Sequence, residues 1–188
     1  MEITNLISAA TPEQLRAWLQ EHGRTDKFVW VEVTMTPKPG KLLYLDAVEQ
    51  CLCFGWIDGT KKKTADDRVV QRLSPRSKKS SWTELNKARV RRLEKLGLMT
   101  DEGRKVLPNM DEAAFIIDPD IAHRLMDDSQ VYANFMAFPP LYRTIRIDTI
   151  QSYKNDPELF NRRLEKFIAN TRDNIMYGQW HDHGRLLD

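Results

Sequence analysis

Cysteine is nearly missing from this chain, and what there is sits in one place. Cys51 and Cys53 lie two residues apart in a stretch that reads as helix. Helical residues at that spacing point about 200° apart, which argues against a bond between them. With no other cysteine nearby, a zinc site has no ligand set, and no metal is expected. Histidine is equally scarce, with His22, His123, His181 and His183 scattered along the chain. A thiol nucleophile needs a base within hydrogen-bonding reach, and none stands near Cys53, which reads as a small buried apolar residue. His181-Asp182-His183 places two ligand types at i and i+2 on an irregular tail, a weak metal pattern. The eight glycines form neither a phosphate loop nor a dinucleotide fingerprint, so no cofactor is expected. No run of about 18 apolar residues exists to span a membrane. Met1 to Asn5 lacks the basic and apolar regions of a secretory signal, which makes the cytoplasm the expected compartment.

The composition is that of an ordinary globular protein, with 41% hydrophobic and 30% charged residues. The 188 residues suit a single domain over 1–188, divisible into an α+β part, 1–98, and a helical part, 99–188. Positive charge is concentrated. Residues 60–95 hold thirteen Lys/Arg against four Asp/Glu, whereas residues 1–59 are net −3 and residues 96–188 net −4. Such a block favours an anionic partner, either a small anion or nucleic acid.

The element pattern is α+β: a small antiparallel sheet of about three strands with helices against it, then a mainly helical C-terminal half. Thr11-Pro12-Glu13-Gln14 starts a helix that ends at Gly23. Phe28 to Met35 is β-branched and aromatic, a strand. A helix runs from about Tyr44 to Phe54, and two strands follow, Trp56 to Lys63 and Arg68 to Leu73. Ser81-Trp82-Thr83-Glu84 reads as a capping box opening a helix with Leu85, Leu93 and Leu96 on its apolar side and Gly97 at its end. Helices follow at about 120–127, 129–135, 141–153 and from Asp156-Pro157-Glu158 onward, the last with Leu159, Phe160, Leu164, Phe167 and Ile168 on one face. The tail from Tyr177 has no clear period.

The densest apolar stretch is Gln50 to Gly59, and Asp58 is the odd member, an acid beside Phe54, Trp56 and Ile57. Cys53-Phe54-Gly55-Trp56-Ile57-Asp58-Gly59, Gln71-Arg72-Leu73-Ser74-Pro75-Arg76 and Ser80-Ser81-Trp82 with Asn86, Ala88, Arg89 and Val90 together resemble the YdeI/OmpD-associated, or bacteriocin-protection, family. Phe138-Pro139-Pro140-Leu141-Tyr142, Arg146-Ile147-Asp148-Thr149-Ile150 and Tyr177-Gly178-Gln179-Trp180 carry the resemblance to the C-terminal end. It implies an association with a porin and with resistance to antimicrobial peptides. A cytoplasmic chain would support such resistance indirectly, through envelope stress.

The residues themselves outline an anion pocket. On a strand Arg72 and Ser74 share a face, Arg76 follows Pro75 as a loop residue of little weight for stability, and Ser80 and Ser81 fall at a helix N-terminus, where unpaired N–H groups attract anions. Trp56 and Trp82 offer flat walls for a ring or base, and Asn86 completes the set. Against this stands a structural pairing of Arg72 with Asp58. Two rival classes remain: a nucleic-acid or protein-interaction module using Lys61, Lys62, Lys63, Lys78, Lys79, Lys87, Arg89, Arg91 and Arg92, and an enzyme with Asp58 as acid or base.

Overall fold

A computed structural model describes residues 2–187. They form two compact units: residues 2–81 with 89–108, and residues 82–88 with 109–187.

The first unit is built on a four-stranded mixed sheet, β1 (Leu6–Ile7), β2 (Val29–Glu32), β3 (Trp56–Lys63) and β4 (Val69–Pro75), in the order β1-β2-β4-β3. The expected three antiparallel strands are β2, β4 and β3; the fourth, β1, pairs parallel to β2. Two residues are too few to show an alternation, so β1 left no sequence signal. Opposed residues on paired strands share a face, which puts Val29, Val31, Leu73, Trp56 and Asp58 on one side. There Leu15 and Leu19 of α1 (Pro12–His22) and Ala47 and Cys51 of α2 (Tyr44–Cys53) meet the sheet residues Val29, Val31, Trp56 and Leu73 in one buried cluster. Helix α1 starts as expected, with Thr11 Oγ1 accepting the Gln14 N–H and the Gln14 side chain accepting the Ala10 N–H.

Helix α3 (Glu84–Lys95) is shared, residues 84–88 belonging to the second unit. It ends at Gly97, φ +68°, where the Leu98 N–H returns to the Leu93 carbonyl. Leu96, expected on the apolar side, is 53% exposed; Ala88, Val90 and Leu93 carry the buried stripe. The short α4 (Asp101–Arg104) completes the first unit. The second unit holds α5 (Pro119–Met126), α6 (Ser129–Ala137), α7 (Pro140–Gln151) and α8 (Pro157–Arg172), each with proline at its first turn or an Asp before it as cap. Their core includes Ile121, Leu125, Phe135, Tyr142, Phe167 and, from the aperiodic tail, Trp180. The Tyr177 N–H donates to the Tyr142 hydroxyl, which ties the tail to α7. Among the described residues no helix is long and apolar enough to cross a membrane.

Candidate functional site

The stretch from Cys53 to Gly59 turns the chain from α2 into β3 at one close contact. Gly55 takes φ +71°, and a Cβ there would stand 2.8 Å from the Glu102 carbonyl oxygen. Gly103 answers from the other side, where a Cβ would lie 2.2 Å from the Cys53 carbonyl oxygen. That same carbonyl accepts the Thr100 hydroxyl at 2.6 Å and the Thr100 N–H at 3.1 Å. Only glycine fits either position, so α4 is held against the end of α2. Trp56, next in the chain, is buried; its indole N–H donates to the Gly23 carbonyl at 3.0 Å and its ring meets Trp18 edge to face.

Between these parts opens a cleft of about 660 Å³, lined among others by Arg24, Phe54, Trp56, Arg76, Thr100 and Glu102. Arg76 lies in its wall because the Arg76 N–H donates to the Gly55 carbonyl, extending the β4 side of the turn. Its guanidinium is not the surface group expected behind Pro75: the residue is 7% exposed and Nη1 donates to the Ser81 carbonyl at 2.8 Å. Burial lowers the Arg76 pKa, opposed by the charges of Asp58 and Cys51. At the rim Arg24 pairs with Glu102 at 3.1 Å.

Asp58 does not pair with Arg72. Asp58 stands opposite Leu73 on the packed face of the sheet, so Arg72 points to the other face, with its guanidinium 4.6 Å from the centre of the Phe28 ring. The Asp58 carboxylate instead accepts the Tyr44 hydroxyl at 2.5 Å. Tyr44 is driven well above the usual phenol value, first by burial and then by that carboxylate. Burial also raises Cys51, and lifts Cys53 to about 11, so neither thiol is poised as a nucleophile. Both cysteines are free and buried. Past Asp58 a bulge adds one residue to β3, and Gln71, buried opposite it, donates to the Gly59 carbonyl at 2.8 Å.

The serines and Trp82 are less gathered than the spacing suggested. Ser74 pairs with Ile57 within the sheet, and Ser80 closes a turn with Ser77. Helix α3 begins at Glu84 and not at Ser81; Thr83 is its cap, its hydroxyl accepting the Asn86 N–H. Trp82 and Asn86 belong to the second unit, whereas Trp56, Asp58, Arg72, Ser74, Arg76, Ser80 and Ser81 belong to the first. The helix N-terminus already has its anion: the Asp148 carboxylate accepts the Glu84 N–H at 3.0 Å. Of the residues proposed for the pocket, the cleft collects Trp56 and Arg76; it adds Phe54, which stood in the Cys53–Gly59 motif, and Arg24, Thr100 and Glu102, which no motif marked.

Much of the basic block is neutralised internally. Lys63 pairs with Asp67, Arg68 with Asp66 and Glu32, Lys87 with the buried Glu84 and Arg92 with Glu49. Lys61 lies over the Tyr44 ring and Lys62 over the Trp30 ring. Among the described residues no group of three or more His, Cys, Asp or Glu is placed to hold a metal, and His181 uses Nδ1 to accept the Gly184 N–H.

Residues 7–106 match the family described as Domain of unknown function (DUF8412), more than half of the chain. The chain belongs to that family. Residues 114–174 match the family described as Bacteriocin-protection, YdeI or OmpD-Associated, so the YdeI/OmpD-associated likeness holds over part of the second unit. Phe138 to Tyr142 and Arg146 to Ile150 fall inside this second match; Cys53 to Gly59 and Gln71 to Arg76 fall in the first, and Tyr177 to Trp180 lies beyond both. No curated protein and no solved structure matches the chain.

Proposed function

We propose that the first unit binds a small anionic or nucleotide-like molecule in the cleft walled by Trp56 and Arg76. The observation that carries this reading is the Arg76 guanidinium, 7% exposed yet on the wall of an open cleft. Burial lowers the Arg76 pKa, so the cleft wall carries a partly desolvated cation whose fork of donors is suited to a charge-assisted contact with a ligand anion. Phe54 and the apolar turn supply the flat side of the site, and Thr100 a hydroxyl.

Two rival readings have less support. As an acid or base, Asp58 would have to act from a position off the cleft lining and already bonded to Tyr44. A nucleic-acid surface would have to use cations several of which are held by carboxylates, Lys63, Lys87 and Arg92 among them, with Lys61, Lys78 and Lys79 as exposed members. A part in bacteriocin protection, as the second family's description has it, or in envelope stress belongs downstream of ligand binding in this proposal.

A thermal-shift screen of nucleotides, phosphorylated metabolites and their uncharged parents, at fixed salt, tests the reading. The expected result is stabilisation by at least one phosphorylated compound and none by its uncharged parent. Stabilisation by both alike, or by neither, would overturn it.

A further inference from the structure

The second unit contains a groove of about 400 Å³ that the reading above leaves unused. Its walls come from the segment 112–117, from α5 and α6 and from the start of α7, with Ile117, Leu125, Met126, Phe135 and Met136 among them. Leu125 and Phe135 form its floor as members of the helical core, whereas Met126 and Met136 stand 52% and 50% exposed, and Tyr132, 42% exposed, stands with them. Leaving two methionines and a tyrosine in water around one concavity has a cost that burial against an apolar ligand would recover. Methionine is also the side chain that reshapes most readily around such a guest.

Polarity in this groove is sparse and of a definite kind. Arg143 is on the lining, and its guanidinium is held by soft partners only: it lies 5.5 Å from the centre of the Phe135 ring, and Nη1 is 3.2 Å from the Met136 sulfur. No carboxylate pairs with it among the described residues. Glu112, the acid on the same lining, has an interaction of its own. An apolar trough with one cation fixed at its side, and no carboxylate paired with that cation among the described residues, is complementary to an apolar chain ending in a carboxylate.

We propose that this groove is a second ligand site, for a medium-chain fatty acid or a similar apolar carboxylate, with the chain against Met126, Leu125 and Met136 and the carboxylate on Arg143. Its occupant is independent of the Arg76 cleft. Arg143 sets the preference for acid over alcohol; the methionines and the floor set the preference for chain length.

The probe is decanoate, titrated below its micelle concentration while the methionine methyl signals are followed by NMR, with decanol as the uncharged control. Decanoate is expected to shift the Met126 and Met136 methyls saturably, and decanol to bind about tenfold more weakly, the loss of one charge-assisted contact. Arg143→Gln, on the surface of α7, should bring decanoate down to the affinity of decanol and leave decanol unchanged. Ala122→Leu, which fills the lining, should weaken both. Arg76→Lys should change neither, which separates this site from the cleft. Equal binding of acid and alcohol to the wild type, or equal weakening of both by Arg143→Gln, would overturn the assignment. So would saturation of the groove by a second copy of the chain, seen as a dimer that Met136→Glu dissociates.

Discussion

Tyr44 and Asp58 meet as a phenol and a carboxylate partly inside the packed face of the sheet. Removing the hydroxyl leaves the carboxylate one donor short in a place where water replaces it poorly, so Tyr44→Phe should cost about 1–3 kcal/mol in urea denaturation. A loss near zero would mean the pair is open to solvent. The two thiols are set by the same desolvation. Cys53 rises from 9.0 to about 11, and Cys51 rises too. Folded values above unfolded ones mean that stability is undiminished below about pH 9 and falls as pH rises from there through about 11. The urea midpoint should therefore drop between pH 8 and pH 10.5, and drop less in Cys53→Ala. An identical drop in that variant would remove Cys53 as a contributor. At this scale the sequence was informative about which residues are unusual and silent about their partners. Asp58 stood out as an acid among apolar neighbours, but whether it faces Arg72 or Tyr44 depends on strand register, which the bulge after Asp58 shifts by one.

Between elements, the glycines decide what can approach. Gly97 has φ +68° with open space around it, so Gly97→Ala should cost only the left-handed conformation, about 1–2 kcal/mol. Gly55 has a similar φ but faces a backbone carbonyl at 2.8 Å, and Gly55→Ala should be clearly worse in the same denaturation assay. Equal losses would mean that α4 yields easily. The start of α3 offers a second contrast. Burial raises the Asp148 pKa, helped by the charge of Glu84 and opposed by the Glu84 N–H and Lys87. Asp148→Asn keeps an oxygen for that N–H and removes a buried charge, so at pH 7 it should match or exceed wild-type stability. Asp148→Ala should lose about 1 kcal/mol, as cap deletions do. The raised value also means that the wild type approaches the Asn variant as pH falls toward the Asp148 folded pKa. Helix starts at Thr11, Pro119, Pro140 and Pro157 were legible because proline and capping residues act locally. The start of α3 was not. Ser81 and Thr83 are chemically alike, and the choice falls to Thr83, whose helix meets Asp148, 64 residues away.

For the whole molecule, the α+β class and the helical second half followed from periodicity; the first family match takes in most of the first unit and residues 82–88 of the second, and the second match lies within the second unit. The net charge of residues 60–95 was legible, but its neutralisation was not, because Glu32 and Glu49 lie far from their partners in sequence. With so many of these cations paired, DNA binding should be weak and its salt slope shallow, well short of the steep dependence of a protein that tracks many phosphates. The central claim concerns Arg76, and urea denaturation with and without sulfate tests it most directly. Arg76→Lys keeps the charge and loses the fork, and Arg76→Gln keeps a donor for the Ser81 carbonyl and loses the charge. At ten times its Kd an anion held in the cleft adds about 1.4 kcal/mol to stability, beyond what a matched neutral osmolyte gives. The account predicts that gain in the wild type, a reduced gain in Arg76→Lys and none in Arg76→Gln; an equal gain in all three proteins would contradict it.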